Sequence, residues 1–170
     1  MRNWLFPIAL VFAASLLSYW LLGCGVLTSV KRPTPGGIVV VYDPDDGDYR
    51  LPSAKARELD ERWAALLECL PPEALKRRDA PQVRIRGGNC DSYIDYYGVR
   101  VRGEYVPGRV IVPGSLGALA HEFTHHLTGE DHAGPYRDKW LSKCGDEVDR
   151  HFRKVNPPRL CPTDPGFKAP

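Results

Sequence analysis

Apolar and polar residues recur along this chain at two periods, and the places where one period gives way to the other mark its elements. Ile38-Val-Val-Val-Tyr42 is a β-branched run stopped by Asp43-Pro44 and the Asp45-Asp46-Gly47-Asp48 cluster, which predicts a central strand and then an acidic turn. From Ser53 to Leu70 the positions Ala56, Leu59, Trp63, Leu66, Leu67 and Leu70 follow helical spacing, and Pro71-Pro72 forbids continuation. This predicts a first long helix with Trp63 and Leu67 in the core, followed by at most one further turn within Pro72 to Arg78. Pro81 to Gly87 alternates Val83 and Ile85 with basic residues, as a strand with one wet face does. Gly87 to Asp91 reads as a loop, and Tyr93, Tyr96, Tyr97, Val99 and Val101 as an irregular hairpin turning near Gly98. Arg109 to Val112 is another strand, ended by Pro113-Gly114.

Two more helices come next. Leu116, Leu119, Ala120, Phe123 and Leu127 spread a broad apolar surface between Ser115, placed as an N-cap, and Gly129, placed to end the helix in a left-handed conformation. Tyr136, Trp140, Cys144, Val148, Phe152 and Val155 then recur near one face of a helix from Tyr136 to Val155, and a helical wheel puts Glu147 and His151 inside that face. The expected fold is α+β: a small mixed or antiparallel sheet of about four strands packed against helices at 53–70, 115–129 and 136–155.

The length of 170 residues and a hydrophobic content of 43% allow one compact domain with appendages. Arg2 precedes an uncharged stretch from Trp4 to Leu22, so residues 1–23 read as a targeting segment rather than part of the fold. Its end, Leu21-Leu22-Gly23-Cys24, resembles the lipobox of bacterial lipoproteins, which implies cleavage before Cys24 and lipidation of that cysteine. The competing reading is an uncleaved N-terminal anchor, because nineteen uncharged, mostly apolar residues approach the length that spans a bilayer. Both readings place the globular part outside the cytoplasm, on the cell envelope of a bacterium. Residues 24–37, with Pro33, Pro35 and a glycine pair, read as a tether, residues 38–155 as the domain, and 156–170, with five prolines, as an extended tail.

The formal charge of +2 is dispersed among alternating signs, which gives no footprint for nucleic acid and no polybasic membrane patch. With Cys24 set aside, Cys69, Cys90, Cys144 and Cys161 remain, an even number that reads in an oxidising compartment as two disulfides of three possible connectivities. Zinc held by cysteines is the alternative, although no C-x-x-C pair exists. The carboxylates at 43, 45, 46 and 48 lack the full spacing of a calcium loop and read as a solvated turn.

Four of the five histidines fall between His121 and His132. His121 and His125, four apart on a helix, project from one face within reach of a single ion, and Glu122 lies about 100° round, beside that ion rather than on it. A carboxylate there can take a proton from a zinc-activated water and pass it to a leaving amine. A turn at Gly129 brings His132 back as a third ligand and leaves the fourth position to water; Asp131 and Glu147 are the other candidates for third ligand. His126 projects away from His125 and takes a supporting or surface role.

His121-Glu122-x-x-His125 resembles the zincin metallopeptidases, over about thirty residues around that helix. The chain has no methionine other than Met1, unlike metzincins, and lacks the Glu-x-x-x-Asp/Asn context of gluzincins. His132-Ala133-Gly134-Pro135-Tyr136 is closer to the SprT-like small metallopeptidases. The resemblance implies a Zn2+-dependent peptidase in which His121, His125 and His132 hold the ion, Glu122 is the general base, and a strand such as 109–112 pairs with extended peptide substrate. Tyr136 and His151 are candidate oxyanion donors. The alternatives are a binding module with a structural or vestigial zinc site and a hydrolase of peptidoglycan cross-link peptides.

Overall fold

The computed structural model describes residues 29–42, 49–88, 90–95, 97–132 and 139–155. The segment read as a leader, Cys24, the acidic turn, Tyr96, Tyr136 and the tail with Cys161 lie outside the described residues. Among the described residues no helix is long and apolar enough to cross a membrane.

The domain is a mixed α+β unit. Its strands are β1 (Val30–Pro33), β2 (Val39–Tyr42), β3 (Gln82–Ile85), β4 (Tyr93–Ile94), β5 (Arg100–Val101), β6 (Glu104–Val106) and β7 (Arg109–Val112), and its helices are α1 (Ser53–Cys69), α2 (Leu119–Thr128) and α3 (Asp146–Val155). Five strands form one sheet in the order β1-β2-β3-β7-β6, with β2, β3 and β7 parallel and an antiparallel strand at either edge. Strands β4 and β5 form the separate hairpin expected around Gly98. The turn after Pro71 is a single 3-10 turn, Pro72–Ala74.

The sheet's register shows why the apolar runs lie where they do. Val40 is opposite Val83, which is opposite Val110, and Tyr42, Ile85 and Val112 form the next row but one on the same face. Both rows are buried together with Leu59 and Leu66 of α1 and Phe123 and Leu127 of α2, so one core joins the sheet to two helices. Burying each such side chain contributes roughly 1.5–3 kcal/mol before entropy is counted.

Four expectations are corrected. Val30–Pro33, assigned to the tether, is an edge strand; all four residues are exposed and the strand is held to β2 by backbone pairing, so no apolar period could announce it. Leu67 is not in the core but 36% exposed, while Trp63 is partly buried and packs against the core. The inner face of α1 is Glu58, Leu59, Arg62 and Leu66, and two charges at buried positions displace the apolar stripe that the spacing suggested. Finally, the helix after Pro113-Gly114 begins at Leu119 rather than Ser115. Leu116 has a positive φ of 61°, which turns the chain before the helix starts, and the Ser115 hydroxyl accepts from Gly117 N, at 3.3 Å, rather than from the first turn of the helix.

Of the three connectivities, the structure contains Cys69–Cys144, tying the end of α1 to the approach of α3. Cys90 is disulfide-bonded as well.

Candidate metal centre

Helix α2 supplies two of three converging imidazoles. Its C-terminus is set by Gly129, at a φ of 65°, whose N–H donates to His125 O at 2.9 Å. The left-handed turn sends the chain back along the helix, and His132 returns to face His121 and His125. The ring centroids are 5.0 Å apart for His121 and His125, 5.2 Å for His121 and His132, and 4.8 Å for His125 and His132. One ring nitrogen from each lies within 4.8 Å of the others, so the three histidines could hold a metal ion.

The hydrogen bonds on the far side of two rings fix which nitrogen is offered. His121 Nδ1 lies 2.9 Å from Asp146 Oδ1 and His125 Nδ1 lies 2.6 Å from the Glu130 carbonyl. Both partners are acceptors, so each Nδ1 carries the proton and each Nε2 keeps its lone pair towards the shared space. This is the supporting shell that metal-bound histidines usually have. His121 Nε2 and His132 Nε2 are 3.4 Å apart, close to the roughly 3.3 Å expected between two nitrogens each about 2.0–2.1 Å from a tetrahedral ion. Donor type and the tautomers of His121 and His125 fit a site that could hold a metal ion.

His126 faces elsewhere. Its Nε2 donates to the Asp79 carbonyl at 2.8 Å and the ring is buried between Trp63 and Tyr105, so it is a packed support residue, and burial pushes its pKa down. His125, also buried, has its pKa lowered chiefly by desolvation, which favours the neutral ring a metal needs. The Tyr105 ring stacks on His125 at 6.0 Å and holds that imidazole from the open side.

Glu122 is 7% exposed and reaches the same groove. Its pKa is pushed up to about 8, first by burial and then by the charges of Asp149 and Glu104. Gly103 explains its position: a Cβ there would come 2.6 Å from Glu122 Oε1, so the carboxyl rests on bare backbone just before β6. The groove past Glu122, His125 and His132 encloses about 480 Å³ and is bounded by Tyr105 and Pro107 on the sheet side.

The third helix is placed differently from the wheel. The chain enters it through a π turn, Leu141–Gly145, which carries an extra residue and rotates the later turns relative to the earlier ones. The Glu147 side chain is 59% exposed and paired with Arg150, and His151 is exposed against Phe152. Neither faces the three histidines. The inward residue is Asp149, fully buried, whose two carboxylate oxygens accept from Ala120 N at 2.9 Å and His121 N at 3.0 Å. It caps α2 from outside, in place of Ser115. Arg62 bonds Asp149 and Glu58, and donates to the Leu116 carbonyl at 2.8 Å.

Strand β7 pairs on both sides, with β3 and β6, so it has no edge for a substrate; the free edge beside the groove belongs to β6. Sequence reasoning does not single out Asp146, Asp149, Arg62 or Gly103. For Arg62, a charge on the face of Leu59 and Leu66 is the available sign; Asp146, Asp149 and Gly103 carry no comparable one. Compared with protein-family models, with curated proteins and with solved structures, the chain matches none of them.

Proposed function

We propose that this protein is a zinc-dependent peptidase, tethered to the bacterial envelope through lipidated Cys24, with His121, His125 and His132 as ligands and Glu122 as general base. The observation that carries this reading is the meeting of three imidazoles, two with Nε2 freed by Nδ1 donation, and a buried carboxyl in one open groove. Held by the three imidazoles, zinc would supply a water acidified towards a pKa of about 7 and would polarise a carbonyl.

The protein's own groups do the rest. Glu122 takes the proton of the attacking water on a carboxylate oxygen and delivers it to the leaving amine. Its pKa of about 8 without metal is set first by burial, and would fall towards that of a base at neutral pH with a divalent ion on the three histidines. Asp146 and the Glu130 carbonyl keep His121 and His125 in the required tautomer, and Tyr105 blocks rotation of His125. An extended peptide laid along the free edge of β6 brings its backbone past Gly103 and Glu122. That edge strand beside the HExxH helix resembles the zincin arrangement.

The test combines metal analysis with turnover. The protein should bind one zinc and hydrolyse peptides, and Glu122→Gln should keep the zinc while losing about 10²–10⁴-fold in turnover. A variant that retains full turnover removes Glu122 from the chemistry. A protein that holds zinc tightly and cleaves no peptide is instead a binding module with a structural metal.

A further inference from the structure

The groove does not stop at Glu122. Gly103 and Glu122 also wall a second depression of about 300 Å³ on the His121 side, and it runs into a third of about 220 Å³ through the residues the two share, Arg102 and Arg153. Arg102 comes from the turn before β6 and Arg153 from the last turns of α3. Both are exposed, and neither belongs to an ion pair among the described residues. Asp146 and Asp91 stand on the same walls but bond elsewhere, Asp146 accepting from His121 Nδ1 at 2.9 Å and Asp91 from the Ser92 hydroxyl at 3.4 Å. Arg153 acts on buried Asp149 only through space.

Two guanidinium groups line one pocket and, among the described residues, no carboxylate bonds either of them, so their N–H donors can meet a ligand carboxylate with directional, charge-assisted hydrogen bonds. A divalent ion at the three histidines would add to the positive potential on this side. A strand advances about 3.3 Å per residue, so a peptide on the edge of β6 reaches Arg102 about one to three residues from the bond beside Glu122.

We propose that Arg102 and Arg153 form a carboxylate subsite that selects peptides bearing an acidic group one to three residues from the scissile bond. This rests on the peptidase reading and adds a substrate class to it. The carboxylate is either an acidic side chain or the free end of a short peptide, and the same chemistry binds both.

The experiment uses the full-length, zinc-loaded protein and matched peptides with Glu or Gln at each of the three positions on either side of the cleaved bond. A second set ends at those positions with a free or an amidated C-terminus. The carboxylate should raise kcat/KM about tenfold, an advantage worth about 1.4 kcal/mol. Preference within the first set identifies a side chain, and preference within the second a terminus. Arg102→Ala with Arg153→Ala should bring the ratio to about one, and Arg102→Glu should turn the preference towards Lys. The same peptides, labelled, are titrated into Glu122→Gln protein by fluorescence anisotropy, where the carboxylate should tighten binding by a similar factor. Equal handling of Glu and Gln and of both termini, or a preference that survives the double substitution, overturns the subsite. Absence of hydrolysis with carboxylate-selective binding removes the peptidase reading and leaves the subsite standing.

Discussion

At its N-terminal end α2 is held by buried charge. Asp149 accepts from two of its first N–H groups, Arg62 ties Asp149 to Glu58, and all three side chains are almost sealed from solvent. At its C-terminal end the same helix is held by backbone. Lys76 N donates to Leu127 O at 2.7 Å, Gly129 N closes the last turn, and an exposed loop then carries His132. His121 and His125 are therefore placed by the fold before any ion arrives, whereas His132 is placed by a short surface loop braced where Trp140 N donates to the Glu130 carboxylate at 3.0 Å. One helix combines a rigid pair of donors with an adaptable third.

The sharpest way to break this contrast is Arg62→Ala. It strips the paired guanidinium from buried Asp149 and leaves Glu58 to Lys55 alone, at 2.7 Å, and uncompensated buried charge costs about 3–5 kcal/mol. Urea unfolding of the metal-free protein should show a loss of that size, with metal binding weakened because His121 N sits on the disturbed cap. A loss under about 1 kcal/mol would mean that the charges do not anchor the helix.

The same contrast separates what the sequence makes legible from what it hides. The apolar rows of β2, β3 and β7, the stop at Pro71-Pro72, the hairpin near Gly98 and the Gly129 turn arise from local periodicity and steric rules, and they appear. The three histidines converge because that turn is local too. The N-terminal anchor is not local: Asp149 is 29 residues from Ala120 and Arg62 is 87 from Asp149, so their pairing exists only after the helices pack. Buried charges also erase the apolar stripe by which a wheel assigns faces, and the π turn offsets the wheel for α3. A wheel puts Glu147 and His151 inward for both reasons. The β1 strand has no buried face, so backbone pairing alone records it.

A medium-sized effect should come from Glu122, near the anchored end. Its folded pKa of about 8 lies above the 4.5 of an ordinary glutamate. The folded metal-free state therefore binds the proton more tightly than the unfolded chain. The resulting stability is fully present below pH 4.5 and is lost as pH rises through about 8, by a few kcal/mol at most. Asp149 is raised as well and adds in the same direction, while His125 and His126, with lowered pKa values, oppose it as pH falls through 6.5. Comparing denaturation midpoints of the metal-free protein and Glu122→Gln from pH 5 to 9 cancels those shared contributions. The gap should open with pH in favour of the Gln variant; a constant gap would mean that Glu122 is solvated like a surface acid.

The smallest effect on the fold, and the most informative about the site, should be His132→Ala. The side chain is exposed and contributes no core contact, so the metal-free protein should unfold within about 0.5 kcal/mol of the unsubstituted chain. Zinc should bind far more weakly, by more than the ~10–100-fold typical of losing a supporting hydrogen bond, because a donor itself is gone. The thermal stabilisation that zinc confers should shrink accordingly, since it grows with the logarithm of ligand over Kd. His125→Ala makes the converse case: that ring is buried under Tyr105, so the substitution should cost both metal affinity and metal-free stability. If His132→Ala kept full zinc affinity, the loop would be donating through Asp131, which lines the same groove, and the adaptable third ligand would be a carboxylate instead of an imidazole.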